Sequence, residues 1–476
     1  MRQLVVIIIF ILLIPITFAI NDPALAIQRS ANFYSDYTDF FNTPPNNVIY
    51  KNLPYDNSEA YQLFLAYVSG EDIDEIHSIS NPSKTFSTNK DCTVFTSDII
   101  LASKKIQQYV DKNNKFPLAI KINDCYISNS DFLYLLATMI RSEFENGNYQ
   151  DSYLVQKKYF ESTIKWVSNV KKRYVQFTMD YESDRPIFSE RYTYDKEIVT
   201  KNVSSIGVNP KMVERRCVGK YCTIPKDYDQ TNYTSSEVAW YTAVKEEGNI
   251  IFPDCYPYCG VLNGTSIILD DFVYRYGFPM VWHMTGGSIV AIATKPELQN
   301  KIINFKTEGL LELGIHTMYH TNIGDVSRDF IDESINNNVQ VFIKLLNDKP
   351  TQFRAPYLSL PQKDFYLEPL KKNDIHFDNE ADKYNLCPSN NCNYMGIPEY
   401  DLYFVSIDWK NEPDDVLLNI YLSHPWEVLY EAEGKPTYLK KSDEAAKKVF
   451  KKWMHLVGED GLVPSSVKNY MENQLK

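Results

Sequence analysis

Beyond Cys259 the chain alternates short apolar runs of strand length with stretches of helical period. That alternation requires a mainly parallel sheet with helices packed on its faces, an α/β architecture. In such folds reactive side chains gather at the C-terminal ends of strands. Polar residues that close an apolar run are therefore the candidates for chemistry.

Ser266-Ile267-Ile268-Leu269 reads as such a run, closed by the adjacent carboxylates Asp270 and Asp271. Side chains alternate along a strand, so one of the two can hold a metal while the other faces substrate. His316 and His320 stand four apart, the spacing that puts two imidazoles on one face of a helical turn and onto one metal ion. Two histidines and Asp271 would leave a fourth position open for water, as a hydrolytic zinc site requires. Phe353-Arg354-Ala355-Pro356-Tyr357 sets a guanidinium before a proline turn, where it can hold a carboxylate in fixed geometry. Leu422-Ser423-His424 adds a third histidine after an apolar run.

In this order the segments resemble the polysaccharide deacetylase family, carbohydrate esterase family 4. Asp270-Asp271 matches its first motif, His316-Thr317-x-x-His320 the second, Arg354-Ala355-Pro356-Tyr357 the third and Leu422-Ser423-His424 the fifth. Met280 to Gly286 sits where the family has an apolar strand running into a glycine. The resemblance covers residues 265–425. It implies a distorted (β/α) barrel and a zinc ion, or another divalent transition metal, on Asp271, His316 and His320. It further implies Asp270 as general base, His424 as the acid that protonates the leaving amine, and Arg354 as their organiser. The implied substrate is an N-acetylated polysaccharide, chitin-like or a cell-wall glycan. The alternative is a non-catalytic polysaccharide-binding protein on the same fold.

The fourth motif has two candidates. Asp408-Trp409 reproduces the family's usual Asp-Trp ending. Asp378 stands nearer Arg354 in sequence, after one helical segment, as in the animal-type chitin deacetylases, and is the favoured partner for His424. Tyr357, Trp409 and Leu422 are candidate lining for substrate.

The rest of the chain sets the context. Met1-Arg2-Gln3, the apolar Leu4 to Phe18 and Thr17-Phe18-Ala19 form a secretory signal peptide over residues 1–19, with an uncleaved anchor as the alternative. No later stretch is long and apolar enough to span a bilayer, so an extracellular, secreted or cell-wall-associated protein is expected. A net charge of −12 without a basic run argues against nucleic acid. Eight cysteines imply disulfides in an exported chain, a thiolate zinc site being the lesser option. Asn202, Asn232 and Asn263 open glycosylation sequons.

Residues 20–140 hold an internal repeat at an offset of 72, aligning Pro45 with Pro117, Val48 with Ile120, Ser58 with Ser130 and Leu63 with Leu135. Each copy reads as helix, proline turn, short strand, serine N-cap and second helix. The second copy, from Ile99 to Leu136, resembles the pseudomurein-binding repeat of archaeal cell-wall proteins, which implies tandem modules that bind a cell-wall glycan. A connector at 141–209, a cysteine-bearing segment at 210–262 and the deacetylase domain at 263–476 complete the expected organisation.

Overall fold

The computed structural model describes residues 22–71, 76, 79, 86–156, 174–181, 260–293, 295–318, 323, 327–356, 363–378, 395–397, 402–404, 418–433 and 438–466. The signal segment, Asn202, Asn232 and the cysteines at 217, 222, 255, 259, 387 and 392 lie outside them. Among the described residues no helix is long and apolar enough to cross a membrane. The chain divides into two compact units.

The first unit comprises Met1–Arg173, Tyr274–Phe278 and Lys451–Val463. It contains α1 (Pro23–Phe41), the hairpin β1 (Asn47–Tyr50) and β2 (Leu53–Asp56), α2 (Asn57–Ser69), β3 (Cys92–Phe95), α3 (Thr96–Asn113), the hairpin β4 (Ile120–Ile122) and β5 (Cys125–Ile127), α4 (Asn129–Asn146) and β6 (Ser152–Val155). Helix–hairpin–helix thus occurs twice, and the details repeat at an offset of 72. Asn42 and Asn114 end the first helices in left-handed conformation, with φ of 54° and 50°. Asn57 donates to Pro45 O at 3.0 Å and Asn129 to Pro117 O at 2.7 Å. The N-caps are Asp56 and Ser128, two residues before the serines expected from sequence. Asp56 forms a reciprocal capping box with Glu59, and Ser128 Oγ accepts from Asp131 N at 3.0 Å.

The two copies are not separate beads. α1 packs on α4 and α2 on α3, so each copy's first helix covers the other's second. This exchange makes a pseudo-two-fold unit with one core, in which Tyr34, Tyr61, Phe64, Phe116 and Phe132 are buried. Arg141 of α4 donates to Asp36 and Asp39 of α1 at 2.8 and 2.9 Å. Only the second copy carries a disulfide, Cys92–Cys125, tying β3 to β5.

The second unit comprises Tyr174–Val273, Pro279–Phe450 and Pro464–Lys476. Its main sheet includes β7 (Tyr174–Tyr181), β8 (Met280–Met284), β9 (Leu311–Ile315), β10 (Gln352–Phe353), β11 (Phe377–Asp378), β12 (Met395–Ile397), β13 (Leu402–Phe404) and β14 (Leu418–Ser423). They lie in the order β12-β13-β11-β10-β9-β8-β7-β14, with every neighbouring pair parallel except β12–β13. Helices fill the crossovers: α5 (Gly286–Ala293) and α6 (Pro296–Thr307) before β9, α7 (Arg328–Leu346) before β10, and α8 (Lys363–Lys372) before β11. This is the layout of a distorted (β/α) barrel.

Two expectations fail here. The strand β7 lies in the supposed connector, yet it pairs with β14 on one side and β8 on the other. The barrel domain therefore begins well before residue 263. Ser266 to Leu269 is also not a strand: Thr265–Ile268 is α-helical and Leu269–Tyr274 continues as a π-helical turn. Ile268, Leu269, Phe272 and Val273 are buried, a helical rather than an alternating pattern. An apolar run this short fits either period, and only packing chooses.

The repeated asparagine contacts supply the first prediction. Asn57→Ala removes the donor to a buried carbonyl and is expected to cost about 1–3 kcal/mol, read as a shift of the thermal midpoint. An unchanged midpoint would show that this contact does not hold the first copy together.

Candidate active site

Alternate residues of four neighbouring strands build one polar face. Asp180, His283, Gly314 and Gln352 stand in register across β7, β8, β9 and β10. Thr178 lies two residues below Asp180; His316 and Arg354 lie two above Gly314 and Gln352. The opposite faces of these strands are apolar, and Tyr181 stacks on Trp282 at 4.5 Å. Gly314 is required by close approach: a Cβ there would lie 2.8 Å from Gln352 O and 2.9 Å from His283 Cδ2. Only a residue without a side chain lets the His283 ring lie across β9.

Asp180 is the centre of the cluster. Arg354, fully buried, donates from Nη1 to Asp180 Oδ1 at 2.9 Å. His283 Nδ1 lies 3.1 Å from Thr178 Oγ1 and 3.8 Å from Asp180 Oδ1. Burial first, and then Arg354 and His316, push the His283 imidazole well below the usual histidine range, so it is neutral in the folded protein. His316 Nδ1 lies 2.8 Å from Arg354 O. A carbonyl only accepts, so Nδ1 carries the proton and Nε2 carries the lone pair. That Nε2 lies 3.9 Å from Asp180 Oδ2, too far for a direct hydrogen bond.

The turn after His316 is not helical. Thr317 has φ of +61°, a region that costs a β-branched residue about 1–3 kcal/mol unless its surroundings enforce it. The expectation of a helical turn carrying both histidines is corrected to this extent, and His320 lies outside the described residues.

The other candidates fall into three groups. Asp270 and Asp271 are exposed on the helical stretch, where Asp270 pairs with Lys301 at 2.5 Å and accepts from Ser266 at 3.3 Å. They do not lie on a strand; the carboxylate that does, one residue from the end of β7 and beside His283 and His316, is Asp180. His424 follows β14, whose Ser423 is paired with Met179, and its Nδ1 lies 2.9 Å from Glu427 Oε1. The structure thus gives His424 a carboxylate partner three residues away. Leu422 is half-buried on β14 and registered with Thr178. Asp378 ends β11, one crossover after Arg354 as its spacing implied. Tyr357, Asp408 and Trp409 lie outside the described residues.

Sequence reasoning missed Asp180 and His283. The signal was present in Tyr174-Val-Gln-Phe-Thr-Met-Asp-Tyr181, which alternates polar and apolar residues and nears its end on a carboxylate. A conspicuous Asp-Asp pair further along drew the assignment away.

As to a metal, no three His, Cys, Asp or Glu side chains converge on one point among the described residues. Asp180 and His316 offer two donors of the right chemistry, one carboxylate and one imidazole whose other nitrogen is tied to a carbonyl. Both fit zinc, and His320 would be the third.

The polysaccharide deacetylase family model matches residues 252–374, which include His283, His316 and Arg354 but not Asp180. A solved structure from Mycobacterium smegmatis, described as a polysaccharide deacetylase, aligns over 64% of this chain and 92% of its own, at 11% identity and a TM-score of 0.35. A family 4 carbohydrate esterase from Streptomyces lividans in complex with acetate aligns over 62% and 93%, at 12% identity and a TM-score of 0.26. A family 4 pseudoenzyme from Bacillus anthracis aligns over 68% and 78%, at 10% identity and a TM-score of 0.26. No curated protein matches the chain.

Two predictions follow from the cluster's burial. Asp180→Ala leaves the Arg354 guanidinium buried without its carboxylate and should cost about 3–5 kcal/mol, whereas the exposed Asp270→Ala should stay within about 0.5 kcal/mol. Equal midpoints in urea would refute the assignment of Asp180 as the buried partner. The second concerns acid. With the His283 pKa lowered in the folded state, the unfolded chain binds one more proton once pH falls below its ordinary value of about 6.5. Stability is therefore full above that pH and is lost as pH falls towards the folded-state pKa. His283→Gln should flatten the drop in urea midpoint between pH 7.5 and pH 5.5, about one unit on either side of that value. An identical drop in both proteins would place the acid sensitivity elsewhere.

Proposed function

We propose that this chain, which carries a polysaccharide deacetylase domain, is an exported hydrolase that removes N-acetyl groups from an amino-sugar polysaccharide. The observation that supports this most is the orientation of His316, whose protonated Nδ1 is tied to Arg354 O and whose Nε2 faces Asp180 Oδ2 across 3.9 Å. His316, His320 and a carboxylate would hold the zinc ion. When bound, zinc polarises the acetamide carbonyl and lowers the pKa of water.

The remaining chemistry belongs to side chains. Asp180 replaces Asp270 in the proposed role of base, accepting a proton from the attacking water, and Arg354 fixes the carboxylate so that Oδ2 faces His316. His424 would give a proton to the leaving amine, its ring oriented by Glu427 and stacked on Trp426 at 5.1 Å. Asp378 or Asp408 would then act on the site from β11 or beyond β13 rather than as the necessary partner of His424. The products are a free amino sugar and acetate. The N-terminal pseudo-symmetric unit would hold the enzyme on a cell-wall glycan.

One observation favours a second reading, a polysaccharide-binding protein without catalysis. The resemblance implies two adjacent carboxylates at the first strand, yet Asp180 is followed by Tyr181, fully buried against Trp282 on the opposite face. Asp180 cannot serve fully both as base and as third ligand.

Zinc content and acetate release from N-acetylated glycans separate the readings. Asp180→Asn should lower turnover by about 10²–10⁴-fold, the range of a lost general base, while Asp270→Asn stays within about twofold. His316→Ala should lose bound zinc. A wild-type chain that binds zinc and releases no acetate would support the binding protein instead.

A further inference from the structure

The buried face of α7 is apolar except at Ser334 and Asn338, which stand four apart and aim at the turn that follows His316. Ile331, Ile335, Val339, Val341, Phe342, Leu345 and Leu346 make up its apolar part. A buried amide or hydroxyl is costly in such a face unless its hydrogen bonds are met. Asn338, fully buried, donates from Nδ2 to Met284 O at 3.0 Å and to Thr317 O at 2.6 Å. Two carbonyls around one nitrogen require the amide group in this orientation, since a flipped oxygen would face both. Ser334 Oγ accepts from Met318 N at 3.0 Å.

These contacts enforce the left-handed Thr317. Gly286 N also donates to Thr317 O at 3.3 Å, and its lack of a side chain leaves the space that Met318 occupies. Released from them, Thr317 would return to an ordinary conformation and swing the chain beyond His316 to a different course.

We propose that Asn338 is a positioning residue: it locks the end of β8 to the turn after His316 and so sets the direction in which the chain leaves His316. The inference rests on the reading of His316 and His320 as a metal pair. Asn338 touches neither substrate nor metal, so its effect reaches the site only through the turn.

The test uses the full chain, with amide hydrogen exchange read across residues 311–318 and Zn2+ affinity read by competition with a chromophoric chelator. Asn338→Leu removes both donors at similar volume, and Val341→Ala opens a cavity on the same helix as a packing control. Asn338→Leu should raise exchange at Thr317 and Met318 by at least about tenfold while β9 keeps its protection. It should also weaken Zn2+ binding by about 10–100-fold, as loss of an outer-shell support does. Val341→Ala should move neither by more than about twofold. Adding Thr317→Gly to Asn338→Leu should recover part of the protection, because glycine adopts φ near +60° without strain. Equal effects from the leucine and the control variant would overturn the proposal, as would wild-type exchange at Thr317 in Asn338→Leu. If that variant fails to fold, Asn338→Ser, which keeps one donor, is compared with Val341→Ala by the same two readings. A wild-type chain that takes up no Zn2+ would sink the metal reading, and the exchange ratio would still uphold or overturn the positioning of the turn.

Discussion

The ion pair between Asp180 and Arg354 is the constraint on which the barrel's polar face depends. Both groups are almost wholly buried, and they come from β7 and β10, with β8 and β9 between them. A guanidinium can occupy such a place only with a carboxylate opposite it. Once the pair exists, its neighbours are constrained in turn. The Arg354 carbonyl fixes the protonated nitrogen of His316, and the His283 ring fills the space between Asp180 and Thr178 that Gly314 leaves open. Uncharged His283 suits this position, because a second cation beside Arg354 would be repelled.

Support for this face comes from the helical layer. The carbonyls at the ends of β7, β8 and the turn after β9 are each met by a specific group: Tyr181 O by Ser288 Oγ and Thr285 N, and Met284 O and Thr317 O by Asn338. Each of these carbonyls also accepts one backbone N–H, from Thr285, His316 and Gly286 respectively, and the side chains meet the second lone pair. The polar residues of α5 and α7 do this, and as a result the loops that carry reactive groups are held in one conformation.

The N-terminal unit solves a different problem. A helix–hairpin–helix of about fifty residues buries too little apolar surface to be stable by itself. Two copies that exchange helix partners bury one shared core, in the manner of an isologous dimer made within one chain. Each copy keeps an asparagine at the end of its first helix, Asn42 or Asn114, and an asparagine clasp, Asn57 or Asn129.

By itself the sequence determined the features set by local physics. The repeat offset with its helices and proline turns, the α/β texture and the places of Arg354 and His424 beside strands were legible, because turn chemistry and apolar period act within a few residues. The identity of the central carboxylate was not legible. Asp270-Asp271 closes an apolar run too short to fix its own period, and the alternation that ends near Asp180 marks a strand without marking its place in the sheet. Only the tertiary structure decided between them, by pairing Tyr174–Tyr181 between β8 and β14 and by winding Leu269–Tyr274 into a helical turn with Phe272 against Phe177. The roles of His283 and Asn338 were hidden for the same reason. Their partners lie some fifty to a hundred residues or more away in Met284, Thr178 and Asp180, and a hydrogen bond or an ion pair over such a separation exists only once the sheet is assembled.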